Sequence, residues 1–388
     1  MYGRFFCQLL GHPELKNSRM GRIMALERSD GDKIMKYIKY WLLAALAVLL
    51  ILTASIPRIT EPPVQETQEP VQETLPYWNA SSPVMHSIMD YVQEVSDPSS
   101  EMYVNPAERI AVFDFDGTLY GELFPSYFDT CLLMHRALHD EGYTAPEEIR
   151  AYAQELEYAY DHGLPEPESD LSGAQCLAQM FAGMTVEEYR AYIRAFMDTP
   201  VWGFENMTYG EAFYLPMRSV IEYLDGHDFT VFVSSGSERN MVRELITGTL
   251  DEWIPADRVI GSTFALSASQ QGEKAGRSYE LKEDDAVIMA GNLVTKNQKT
   301  NKVFSIIDEI GQAPLMVFGN SSGDLSMARY ALQHNGRGYM LLCDDTVRDY
   351  GNTETADAFA QKCIEYGLET ISMKDDFETI YRQESHRK

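Results

Sequence analysis

Ile110-Ala111-Val112-Phe113 is the feature that most constrains this chain, because this apolar run leads straight into Asp114-Phe115-Asp116-Gly117-Thr118. A short, wholly apolar segment reads as a parallel strand buried on both faces. Extended residues i and i+2 share a face, so Asp114 and Asp116 lean into one cleft. Gly117 then permits the turn. An Asp-x-Asp-Gly turn in isolation is as easily a solvated loop; the apolar strand ahead of it points to function. In open α/β sheets ligands bind beyond the carboxyl ends of the strands.

The same pattern recurs twice. Phe229-Thr230-Val231-Phe232-Val233 ends in Ser234-Ser235-Gly236-Ser237, followed by a helix from Glu238 to Leu245. Leu315-Met316-Val317-Phe318 ends in Gly319-Asn320-Ser321-Ser322-Gly323-Asp324, which opens a helix from Leu325 to Leu332. A weaker strand at Val259-Ile260, a less regular stretch to about 300, a helix from Asn301 to Ile310 and a last strand from Tyr339 to Leu342 complete the series. Strands alternating with helices predict an α/β fold with a doubly wound, Rossmann-like parallel sheet. Asp344 and Asp345 read as a loop end.

Residues from about 123 to 213 break the alternation. Met134 to Leu138, Glu147 to Tyr160 and Val186 to Met197 have helical spacing, and Thr185 with Glu188 makes a capping box. This block is expected to be an all-helical cap domain, 123–213, inserted into a core formed by 77–122 and 214–388. An amphipathic helix between Tyr77 and Ser96 belongs to that core.

The amino-terminal part differs in kind. Residues 1–40 carry eight Lys/Arg against four Asp/Glu, although the whole chain has net charge −27. Trp41 to Ile56 is apolar, and no charge falls between Lys39 and Arg58. Those 18 residues would make about 27 Å of helix, a short membrane span with Tyr40, Trp41 and Lys39 at its interface. The expectation is a basic cytoplasmic tail (1–40), a transmembrane signal anchor (41–57) and a Pro/Glu/Gln-rich linker (58–76). Cleavage near Thr53-Ala54-Ser55 would instead release a secreted protein. Either way the folded part lies outside the cytoplasm. Its acidity argues against nucleic acid as a partner. Cys131, Cys176, Cys343 and Cys363 show no metal-type spacing.

The three polar turns would converge on one sheet edge. Asp114, Asp116, Asn320 and Asp324 offer oxygen ligands without His or Cys, which favours a hard ion such as Mg²⁺. Ser234 with backbone N–H groups at a helix start offers an anion site. A cation beside a phosphate cradle points to phosphoryl chemistry.

With these motifs in this order, the chain resembles a haloacid-dehalogenase-superfamily phosphatase over roughly residues 77–388. The similarity is to the phosphoserine-phosphatase-like branch of exported hydrolases, whose cap follows the first motif. The resemblance implies that Asp114 is the nucleophile forming an aspartyl-phosphate, with a second oxygen on Mg²⁺. Asp116 would protonate the leaving alcohol and then activate water, its main-chain carbonyl also binding the metal. Ser234 and the Ser235 and Gly236 amides would hold the phosphoryl oxygens. Lys302 would neutralise phosphate and nucleophile; it is preferred over Lys296 and Lys299 because Val303 and Ile306 follow it at helical spacing. Asn320 and Asp324 would complete the metal site. The family usually has Asp where this chain has Asn320, and one fewer negative charge implies weaker metal binding. The substrate expected is a small phosphate monoester. Transfer of phosphate to another acceptor, or a tethered binding protein with little turnover, are the competing readings. Tyr120, Glu122, Tyr127, Trp202 and Tyr209 are candidates for a substrate pocket favouring a cation or amine, although aromatic residues in a helical block more often form core.

Overall fold

The alternation of side chains along β1 (Ile110–Phe113) shows how the molecule is layered. Ile110 and Val112 join one hydrophobic cluster, with Ile306, Val317 and Met327, while Ala111 and Phe113 join another, with Met85, Ile88, Met217 and Phe318. A strand wetted on neither side must be apolar throughout, which explains the unbroken run in the sequence. Each large side chain buried there contributes about 1.5–3 kcal/mol of transfer free energy.

The computed structural model describes residues 74–122 and 124–388. The basic tail, the apolar segment 41–57 and the linker as far as residue 73 lie outside the described residues. Among the described residues no helix is long and apolar enough to cross a membrane. From Glu73 to Lys388 the chain forms one compact unit. Leu75, assigned to the linker on sequence, is buried in it.

In chain order the strands are β1, β2 (Phe204–Glu205), β3 (Thr230–Glu238), β4 (Val259–Ala268), β5 (Val287–Thr295), β6 (Met316–Gly319), β7 (Arg337–Leu342), β8 (Glu369–Ser372) and β9 (His386–Arg387). Seven of them form one sheet in the order β5-β4-β3-β1-β6-β7-β8, parallel except for the antiparallel β4–β5 pair. The result is a mixed α/β fold with a mostly parallel central sheet. From β1 the chain steps outward through β3, β4 and β5 and then crosses back to β6 on the other side of β1, so the switch point lies at β1. Phe113, Phe318 and Tyr339 stack across β1, β6 and β7, with centroids 4.2 and 5.2 Å apart.

The helices are α1 (Pro83–Ser96), α2 (Phe128–Met134), α3 (Glu147–His162), α4 (Gly173–Met180), α5 (Val186–Met197), α6 (Leu215–Asp225), α7 (Arg239–Leu245), α8 (Thr300–Glu309), α9 (Leu325–Gln333), α10 (Thr353–Tyr366) and α11 (Met373–Asp376). Four of them, α2 to α5, lie between β1 and β2. The Thr185–Glu188 capping box forms reciprocally, with both backbone N–H groups bound at 2.8 and 3.1 Å. The helical turn expected at Met134 to Leu138 is a π-helical turn, His135–His139, continuing α2. Arg136 pins this block: its guanidinium lies 4.1, 4.4 and 4.6 Å from the ring centroids of Tyr143, Phe181 and Tyr192.

Two differences from the sequence reading bear on function. The stretch before residue 300 is not irregular: β4 runs to Ala268 and returns antiparallel as β5. Gly183 N–H then donates to Met289 O (2.9 Å) and Met289 N–H to Met184 O (2.8 Å), joining the loop before α5 to this outer strand. The region 123–213 also contains a strand, β2, which pairs with β9.

Candidate active site

Register places the candidate residues before any side chain is considered. Phe113 lies opposite both Val233 and Phe318, so Asp114, Ser234 and Gly319 emerge level at the carboxyl edge of the sheet. Asp114 N–H still donates to Phe318 O at 2.8 Å, which holds its side chain at the sheet's lip.

Lys302, in the first turn of α8, reaches under that lip and is 2% exposed. Its ammonium donates to Asp114 Oδ1 and, at 2.7 Å, to Asp324 Oδ1. Lys299 is exposed and Lys296 partly so, which leaves Lys302 as the lysine joined to Asp114. Burial alone would lower the Lys302 ammonium, but the Asp114 and Asp324 carboxylates raise it above the ordinary lysine range. Burial first, and Asp324 next, push Asp114 up to about 8 against the pull of Lys302. Both shifts follow from one ammonium facing two buried carboxylates, and the lysine stays ionised.

Asp324 was expected among the metal oxygens. Its Oδ1 accepts from Lys302, and its Oδ2 accepts from Asn320 N–H, Ser321 N–H and Ser321 Oγ, each of the last three at 3.1 Å. It organises the loop that carries Asn320. Among the described residues no three His, Cys, Asp or Glu side chains are grouped to hold a metal. The oxygens left at this edge are mixed: Asp114 Oδ2, which receives only a long 3.4 Å contact from Thr118, the Asp116 carbonyl and the Asn320 amide.

Asp116 is on the other side of the turn. Its Oδ2 accepts from Ser237 Oγ at 2.7 Å and Ser235 Oγ at 3.3 Å, whereas Oδ1 is buried without a partner. Burial raises it to about 7, with Asp129 adding to the rise and the Ser237 hydrogen bond opposing it.

The second polar turn differs from the sequence expectation. Ser234 to Ser237 lie within β3, which runs on to Glu238, and between Ser234 and Glu238 the register with β4 shifts. The three intervening residues bulge outward opposite Gly261, where a Cβ would meet Ser237 O and the Arg239 backbone. The α7 N-terminus is occupied by its own residue, since Glu238 Oε2 accepts from Met241 N–H at 2.9 Å. The possible anion site is therefore the bulge, not the helix end. Asn297, absent from the sequence reading, supports it: fully buried, it donates through Nδ2 to Ser234 Oγ (3.1 Å) and Ser235 O (3.0 Å).

Of the pocket candidates, Tyr120 and Tyr209 are core, with Tyr120 OH donating to Tyr209 O. Trp202 is exposed. Glu122 comes to the site: its Oε1 accepts from Asn320 Nδ2 at 2.5 Å and from Tyr127 OH at 2.8 Å.

A model of the haloacid dehalogenase-like hydrolases matches residues 111–329. No curated protein matches the chain significantly. Among solved structures it is similar to a conserved, functionally unknown protein from Anaerococcus prevotii DSM 20548 (14% identity, 76% of this chain and 94% of that one, TM-score 0.45). It is also similar to cytosolic 5'-nucleotidase IIIB bound to cytidine (12%, 78% and 89%, 0.42). A third is a phosphoserine phosphohydrolase-like protein from Francisella tularensis subsp. tularensis SCHU S4 (15%, 60% and 87%, 0.32).

Proposed function

The chain belongs to the haloacid dehalogenase-like hydrolases, and on that premise we propose that it is a phosphatase acting on a small phosphate monoester through Asp114. The observation that carries this is the convergence of Asp114, Asp116, Lys302 and the Ser234–Ser237 bulge on the carboxyl edge of β1 and β3.

A carboxylate oxygen of Asp114 attacks phosphorus, forming the aspartyl–phosphate bond as the ester P–O bond breaks. Asp116 delivers a proton to the departing alkoxide from Oδ1, the oxygen with no protein partner. Its elevated pKa, about 7, keeps that proton available near neutrality. In the second half, Asp116 as carboxylate takes a proton from water. The water oxygen then attacks phosphorus, releasing inorganic phosphate and restoring Asp114. Lys302 offsets charge on Asp114 throughout, while Ser234, Ser235 and Gly236 bind the phosphoryl oxygens. Asn297 donates to Ser234 Oγ, which leaves that hydroxyl's own proton for a phosphoryl oxygen.

The donor set fits a hard divalent cation. One buried ammonium against two carboxylates, with Asp116 nearby, leaves an excess of negative charge, and every candidate ligand is oxygen. Asp114, the Asp116 carbonyl and Asn320 would hold Mg²⁺, with Asp324 fixing the loop. When bound, the ion would offset charge developing on the transferring phosphoryl group. The basic residues before the apolar segment 41–57 support anchoring in a membrane with the site outside the cytoplasm.

The test is release of phosphate from an aryl phosphate. Activity should require Mg²⁺, vanish with chelator and be absent in Asp114→Asn. Retention of full activity by that variant would remove the proposal.

A further inference from the structure

An asparagine at position 320 raises a difficulty that a carboxylate does not. Its side chain has one end that can bind a cation and one that repels it. Which end faces the site is decided by whatever holds the other.

The structure shows what holds it. Asn320 Nδ2 donates to Glu122 Oε1 at 2.5 Å, and the same oxygen takes Tyr127 OH at 2.8 Å. Glu122 Oε1, which takes both of these donors, acts as an acceptor; it therefore selects the NH₂ end of the amide and leaves the oxygen end for a ligand. The Asn320 amide also hydrogen-bonds the Cys343 sulfur, a weak acceptor that engages the same NH₂ end. Backbone shape permits the contact. Gly117 adopts φ +76°, and a Cβ there would collide with both Asn320 Nδ2 and Glu122 Oε1. The turn of the first motif thus leaves the space in which residues 122 and 320 meet.

Resting on the phosphatase reading and its cation site, we propose that Glu122 is a positioning residue that orients the Asn320 carbonyl oxygen toward the divalent cation. Outer partners of metal ligands typically change metal affinity 10–100-fold when lost.

The experiment is calorimetric titration of the full chain with Mg²⁺ alone, without substrate, comparing the native protein with E122Q, N320D and the double variant. In E122Q two amides face each other and no longer fix which end donates, so affinity should fall about tenfold. N320D sets two carboxylates in contact and should also bind at least tenfold more weakly, despite its added charge. The double variant restores a donor–acceptor pair with polarity reversed and should return to within threefold of native. Additive losses in the double variant, or unchanged affinity in E122Q, would overturn the assignment. D114N separates the two levels of the argument. If it leaves Mg²⁺ binding intact, or the native chain binds none, the cation site itself fails. If D114N abolishes binding but the swap does not recover it, only the role of Glu122 fails. Should a single variant unfold by circular dichroism, Tyr127→Phe serves, at a position 39% exposed. It should weaken Mg²⁺ binding two- to fivefold, and no change would count against the assignment.

Discussion

Two buried ion clusters in this protein are near mirror images. At the carboxyl edge of the sheet one cation, Lys302, faces two anions, Asp114 and Asp324, all nearly inaccessible to water. Between α5 and α7 one anion, Glu244, faces two cations: Arg190 Nε at 2.7 Å and Arg194 Nη1 at 2.5 Å. The surroundings differ more than the charges. Glu244 is 1% exposed, but its arginines are 40% and 53% exposed, so water carries the excess positive charge. At Lys302 the excess is negative and water is excluded. A cluster with a solvated surplus can be structural and complete. One with a buried surplus is costly until something of opposite charge arrives. The solvated cluster ties α5 to α7, and the buried one lies where the proposed chemistry takes place.

The largest effects should come from breaking the contrast at its functional end. Asp114→Asn should lower phosphate release on the order of 10⁶-fold, as nucleophile loss does elsewhere. Its thermal midpoint should not fall, because the variant removes one of the two carboxylates crowded on Lys302. Glu244→Ala should do the reverse. It leaves the α5–α7 contact without its shared anion, but the arginines left behind are solvated, so it should cost about 1.5 kcal/mol in urea unfolding, while kcat per folded molecule stays within twofold. A large activity loss in the folded fraction would break the comparison. A smaller effect sharpens it. Asp116 must be protonated to serve as acid, and burial lifts it to about 7. Asp114 must be ionised and is lifted to about 8, so the rate of the ester-cleaving half should peak between the two values and decline about tenfold per unit above about pH 8. The Ser237 hydrogen bond lowers the Asp116 value, so in Ser237→Ala the alkaline limb should move to higher pH, read from kcat/KM profiles.

The sequence displayed what is local. The run 110–113, the acids after it, the 320–324 loop and the Thr185–Glu188 cap are adjacent residues whose periodicity or spacing is itself the signal. Strand β5 escaped because Gly291, at φ +86°, and Asn292 interrupt its apolar pattern. β8 escaped because it is four residues at the sheet edge. Asn297 is indistinguishable in sequence from a solvated polar residue, and Ser237 and Glu122, though placed in a polar turn and among the pocket candidates, carry no sign of their partners. Each acts through a partner 63, 121 or 198 positions away, and no composition window spans such a distance. Glu238 misled for the opposite reason: it was read as the first helical residue, and it is the cap that fills the end.

The pair of main-chain bonds between residues 183–184 and Met289 has a mechanical meaning. They couple the segment before α5 to the outermost strand of the sheet, so this part of the helical block cannot swing away as a free flap. Any breathing that admits an ester to Asp114 either carries the β4–β5 ribbon along or ruptures both links. Deuterium uptake at the Met289 amide distinguishes the two. Protection unchanged during turnover means ribbon and helices travel together, and accelerated uptake means the seam parts on every cycle.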